Sequence, residues 1–140
     1  MVEIVNPITK KHLILLTYKV MNGVDYDEMH RAVKGFQDVL EKRYGKTLGY
    51  KFQDLSIYKY WDNQFQMDIE AFEFIDGVVV KEDIQIPGSS EYNFDLKLSD
   101  MGVDICEILS SPHLKREFND KRITKKLLRE LKKIKKEIAS

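Results

Sequence analysis

The densest chemical resource in the sequence is a run of cations near its end. Lys125, Lys126, Arg129, Lys132, Lys133, Lys135 and Lys136 fall within twelve residues. Among them Leu127, Leu131, Ile134 and Ile138 repeat at intervals of four, three and four, the spacing of a two-helix seam. A helix built this way keeps its basic side chains clear of its apolar row. Such an array can neutralise phosphates and release the counterions condensed on a nucleic acid. The same lysines also suit a merely solvated helix, because cations favour the C-terminal end of a helix dipole.

Other reactive residue types are arranged less favourably. His12, His30 and His113 share no metal-ligand spacing; His12 is expected on a helix flank and His30 on the surface. Cys106 has Asp104 and Glu107 as neighbours, which disfavour a thiolate, so it reads as a small core residue. Glu70 and Glu73 fall on an outward helix face, without the water-excluding pocket that acid–base catalysis needs. The glycines are isolated and form no phosphate-cradling loop. A non-catalytic chain is therefore expected, with no metal, no cofactor and no small-molecule substrate. One more cluster stands out: Tyr58, Tyr60, Trp61 and Phe65 place four aromatics in eight residues. Trp61 and Phe65 are expected to plug the core. Tyr60 with Gln66, Glu70 and Glu73 forms a candidate protein-binding surface, since Tyr and Trp are enriched at interfaces.

These residues need a scaffold, and 140 residues, 43% of them hydrophobic, suffice for one domain that folds without disulfides or metals. A single Cys excludes a disulfide framework within the chain. No apolar run reaches the roughly 18 residues of a spanning helix. Met1-Val2-Glu3-Ile4 lacks the basic and apolar regions of a signal peptide. A soluble cytoplasmic protein is expected, with no membrane partner. Net charge is zero, yet residues 1–114 carry 12 Lys+Arg against 19 Asp+Glu, while residues 115–140 carry 11 against 4. An acidic body is thus offset by a basic tail, a division that marks nucleic-acid or partner-binding segments.

Helix signals recur along the body. Pro7 fits a first helical position, the run Leu13-Ile14-Leu15-Leu16 suits a helix buried all round, and Asn22-Gly23 ends it. A second helix carries Met29, Ala32, Val33, Phe36, Val39 and Leu40 at three- and four-residue spacing, with Asp25 or Asp27 as cap and Gly45 as stop. Residues 46–57 hold no sustained period. A third helix runs from the cap Asp62 to Ile75, with Phe65, Ile69, Phe72 and Ile75 inward. Val78-Val79-Val80 and the alternating Tyr92–Leu98 flank Pro87-Gly88-Ser89-Ser90 and read as a β-hairpin. Ser99 caps a helix over about 100–109, Ser110-Ser111-Pro112 breaks the chain, and the basic helix starts near Asp120.

Three helices, a hairpin and further helix give an α+β chain in the order of a winged helix-turn-helix. The middle of the chain resembles the winged-helix module of Panacea-domain proteins and related small prokaryotic families. Tyr58, Trp61, Asp62, Phe65, Asp68-Ile69 and Phe72 stand at that pattern's aromatic, cap and core positions. Gly77-Val78-Val79 stands at its helix exit, and Leu98-Ser99-Asp100-Met101-Gly102 at its closing motif. Lys59-Tyr60 departs from the Gly-Pro of the pattern. The basic helix is similar in placement to the dimerisation helix that PadR-type regulators append after the wing. The resemblance implies a winged-helix scaffold over residues 1–110, with residues 111–140 a linker and basic helix, and it implies antitoxin-like neutralisation of a partner protein as one role.

Two functions follow as expectations. The third helix, which in a DNA-binding winged helix usually enters the major groove, carries Asp62, Asp68, Glu70 and Glu73 and no cation, so phosphates would repel it. DNA contact is therefore expected through Lys125, Lys126, Arg129, Lys132, Lys133 and Lys136, in a homodimer joined by Leu127, Leu131, Ile134 and Ile138. The alternative is a protein-binding adaptor that uses Tyr60, Gln66, Glu70 and Glu73.

Overall fold

The structure is a computed structural model of the chain and describes residues 2–54, 60–84, 93–108 and 112–139. Tyr58 and the Pro87–Ser90 turn lie outside the described residues. Helix α1 (Pro7–Met21) begins where Asn6 Oδ1 accepts the Thr9 N–H at 2.8 Å and ends at left-handed Asn22. Leu13, Ile14, Leu15 and Leu16 are all buried, as a helix apolar on every side requires. Helix α2 (Tyr26–Tyr44) opens with a reciprocal capping box: Asp25 accepts the Glu28 N–H while Glu28 accepts the Asp25 N–H. That arrangement satisfies two otherwise orphaned donors. Met29, Ala32, Val33, Phe36 and Leu40 point into the core, and Gly45, at φ 62°, closes the helix.

Of the stretch without a period, residues 46–54 are used for short pairings. Strand β1 (Glu3–Ile4) runs parallel to β2 (Lys46–Thr47), and Leu48 and Tyr50 then enter the core. The Gln37 side chain brackets Tyr50, donating to its carbonyl at 2.8 Å and accepting its N–H at 3.1 Å. Gln53 and Trp61 exchange two backbone hydrogen bonds of 2.8 Å, which return the chain to helix α3 (Asn63–Phe74). Asp62 caps α3 by accepting the Phe65 N–H. Phe65, Ile69 and Phe72 are buried, whereas Ile75, expected inward, is 81% exposed. The helix has ended by then, and the chain turns outward.

Strands β3 (Val79–Ile84) and β4 (Asn93–Leu98) form an antiparallel pair in register from Val79↔Leu98 to Ile84↔Asn93. Val24, between α1 and α2, lies beside β4 through a bridge to Leu96 with hydrogen bonds of 3.2 and 2.6 Å. Helix α4 (Asp100–Ile108) is capped by Ser99, whose hydroxyl accepts the Gly102 N–H and donates to the Gly77 carbonyl. Gly102 has a steric reason: a Cβ there would sit 2.0 Å from the Val78 carbonyl oxygen.

The chain end differs most from expectation. Part of the anticipated linker is helix α5 (Pro112–Phe118), pinned by buried Leu114 and by Phe118 against Tyr44. Helix α6 (Ile123–Ala139) then lies across α1 and α2. Ile123, Leu127 and Leu131 are completely buried and Ile134 is 7% exposed, all within the single chain; Ile138 is half-buried on the same cluster. The row expected to join two protomers is therefore corrected to an intramolecular one. A four-three-four repeat specifies an apolar stripe but not whose surface covers it.

Truncating this row should be costly. Leu131→Ala is expected to lower the unfolding free energy by about 2–5 kcal/mol, measured by urea denaturation. A loss below about 0.5 kcal/mol, the scale of surface substitutions, would mean that α6 is not docked on its own chain.

Candidate nucleic-acid interface

Burying the apolar row settles which way the cations point. Lys125, Lys126, Arg129, Lys132, Lys133 and Lys136 are all exposed, as is Arg122 immediately before the helix. At 100° per residue these seven share an arc of about 120°, opposite Ile123, Leu127, Leu131 and Ile134. Lys135 is exposed but falls outside that arc. The sequence reading missed Arg122 although its spacing to Lys125, Lys126 and Arg129 continues the stripe. It also missed Arg43, which no local signal links to this surface: it arrives from the last turn of α2.

A buried carboxylate fixes that junction. The Glu130 side chain is only 9% exposed and accepts from Arg43 Nη1 at 2.7 Å, with Lys133 Nζ at 3.6 Å. Two cations offset the cost of burying one carboxylate, and removing either would leave charge poorly compensated. At the start of α6, Asp120 accepts the Arg122 N–H at 2.8 Å and pairs with Lys126 Nζ at 2.6 Å. These donors hold the Asp120 carboxyl below its ordinary value. Arg122, Lys125, Lys126 and Arg129 line a concavity of about 390 Å³. Its walls are all cationic, so it fits an anion.

The candidate protein-binding surface on α3 is arranged differently. Gln66, Glu70 and Glu73, expected outward, are partly buried and engaged within the chain. Glu73 accepts the Tyr26 hydroxyl at 2.7 Å and lies 3.7 Å from Lys81 Nζ. Gln66 donates to Glu70 at 2.9 Å and meets His30 Nε2 at 2.9 Å. Asp68 accepts from Tyr50 and Gln64 and pairs with Lys10. Tyr60 is half-buried with Lys34 Nζ over its ring, 4.8 Å from the centroid.

His12 on α1 and His30 on α2 are buried, the latter contrary to its expected place on the surface. His30 stacks on Trp61 with centroids 4.0 Å apart, and Phe52 and Phe65 meet it edge-on. Its Nδ1 accepts the Asp62 N–H at 3.3 Å, which leaves the proton on Nε2 to donate to Gln66 Oε1. The ring thus ties the start of α3 to α2. Phe65 belongs to the core, as expected, whereas Trp61, also expected there, is only half-buried and meets the core through its stack on His30. His12, on α1, has no hydrogen-bond partner for Nδ1 among the described residues. Cys106 is buried, and its burial pushes the thiol up. Among the described residues no group of three or more His, Cys, Asp or Glu could hold a metal ion, and no helix is long and apolar enough to cross a membrane.

In comparisons with known proteins, this chain matches no family model, no curated protein and no solved structure.

The histidines predict an acid limb of stability. Burial lowers His12 from 6.5 to about 4, with His113 and Lys19 adding repulsion. Burial lowers His30 as well, against the opposing hydrogen bond with Gln66 and the nearby Asp62 and Asp27 charges. The unfolded chain therefore binds more protons below pH 6.5, so stability present above that pH is lost as pH falls toward 4. Urea midpoints should drop between about pH 6.5 and 5, a window above the ordinary carboxylate range, and His12→Leu should flatten part of that slope. A wild-type midpoint constant across the window would contradict the burial of both rings.

Proposed function

We propose that the chain is a non-catalytic winged-helix regulator that contacts the phosphates of DNA through α6 rather than through the helix preceding the hairpin. The observation that carries this reading is the stripe of seven exposed cations, Arg122 just before α6 and six on one arc of it, held outward by a buried apolar row. The winged-helix assignment draws on element order: α1, the Val24 bridge, α2, α3, then β3 and β4 with Val24 beside β4. Its third helix carries no basic residue between Asn63 and Phe74, so in this chain phosphate contact falls to α6.

The chemistry required is modest. Phosphate contacts position a protein on a duplex, and Lys or Arg supplies them without base recognition. Lys126 and Lys133 already have carboxylate partners, in Asp120 and Glu130. Arg122, Lys125, Arg129, Lys132 and Lys136 remain for phosphates. Five such contacts correspond to a log–log salt slope of about −4 to −5. The alternative, capture of a partner protein by α3, has less surface to work with, because Gln66 is engaged by His30 and Glu70, and Glu73 by Tyr26 and Lys81.

The test is fluorescence anisotropy of the full chain against a labelled duplex, stepped from about 50 to 200 mM salt. Binding should weaken steeply over that range. Lys132→Glu with Lys136→Glu should weaken it further and flatten the slope by about two, one per lost phosphate contact. Absence of wild-type binding at the lowest salt, or a double variant that binds like wild type, would overturn the proposal.

A further inference from the structure

Resting on the reading of α6 as a DNA-contacting surface, we infer that the nucleic acid it takes is double-stranded, gripped along its backbone without base readout, and that Asp120 restrains the affinity. Three observations lead there. The first is chemical. The sequence from Asn119 to Ser140 contains no aromatic residue. Proteins that hold single strands stack the bases on aromatic side chains, worth about 1–3 kcal/mol per base. The aromatic nearest to α6 along the chain is committed elsewhere: Phe118 packs edge-on against Tyr44 with centroids 5.4 Å apart. A single strand would find cations on α6 but no platform for its bases.

The second observation is the make-up of the free side of α6. Its inner side is packed on α1 and α2, so the exposed cationic side is the one that can approach a ligand. No Asn or Gln, the residues that read adenine, occurs from Lys121 to Ala139. The composition agrees: five of the seven stripe residues are Lys, a point charge that binds phosphate without fixed geometry. The stripe from Arg122 to Lys136 spans about 21 Å at 1.5 Å per residue. Its spacing is held by the buried row, and a rigid array of cations matches a rigid array of phosphates better than a flexible strand that must be ordered on binding.

The third observation is Asp120. Its carboxylate pairs at 2.6 Å with Lys126, one of the four cations that line the concavity of Arg122, Lys125, Lys126 and Arg129. A phosphate entering there competes with Asp120 for Lys126. Asn at this position keeps an oxygen for the Arg122 N–H, since Asn and Asp cap equally well, but removes the charge. Asp120→Asn therefore frees one cation with little effect on the helix start.

The experiment uses the full chain and its Asp120→Asn variant. Anisotropy is read with two labelled duplexes of unrelated sequence and with one strand of each alone. The two duplexes should bind within about twofold of each other, far less than the 1–3 kcal/mol that a read base pair confers. The single strands should bind at least about tenfold more weakly, for want of stacking. Asp120→Asn should tighten duplex binding and steepen the salt slope by about one. A single strand bound as tightly as the duplex, a strong preference between the duplexes, or an Asp120→Asn variant indistinguishable from wild type would each overturn this inference while leaving DNA contact by α6 standing. Failure of every probe to bind would overturn the DNA reading and this inference together.

Discussion

The outer surface of α6 depends on what lies beneath it. Ile123, Leu127, Leu131 and Ile134 are buried against α1 and α2, and each side chain of this kind contributes about 1.5–3 kcal/mol when removed from water. No alternative rotation of the helix retains that burial, so the cations have only one direction to face. Glu130 secures the arrangement from the side, since its buried carboxylate needs Arg43 of α2 and Lys133 together. Packing thus converts a diffuse excess of lysine into a defined array on one face.

The acidic part of the molecule is organised on the opposite principle. Much of α3 is turned to internal use: Asp62 caps the helix and donates its N–H to His30, Gln66 accepts a hydrogen bond from His30 Nε2, and Glu73 anchors Tyr26. Asp68 bridges to Tyr50 and to Lys10. Carboxylates engaged in this way tie α3 to α1, α2 and the segment around Tyr50. The zero net charge conceals a division of labour, with negative groups largely knitting the body and positive groups on α6 left to solvent.

How much of this could be read from the sequence varies with the range of the interaction. The start of α1 was legible because Pro7 fits a first helical position, and those of α2 and α3 because Asp25 and Asp62 cap helices through contacts three residues away. The inward face of β4 followed from strict alternation of Phe94, Leu96 and Leu98. The pairing of β1 with β2 was not legible, because two-residue strands are too short to show a period. His30 was misread for another reason: its partners Asp62 and Gln66 lie 32 and 36 residues away, and nothing local reveals that a polar ring will be satisfied in the core. Periodicity gave the correct stripe on α6, but the stripe has no address. Only the three-dimensional packing shows that its cover is the chain's own α1 and α2. At the site, the lysines were legible by spacing, whereas Arg43 reaches Glu130 only through a tertiary contact, and the local Asp120–Lys126 pair has no periodic signal.

The most direct test of the central claim is residue-resolved NMR of the full chain titrated with a duplex at low salt. The account predicts that perturbed signals concentrate on Arg122, Lys125, Arg129, Lys132 and Lys136, while the amides of α3 and of β3 and β4 stay in place. Perturbations centred on α3 and the hairpin strands, with α6 unchanged, would contradict it.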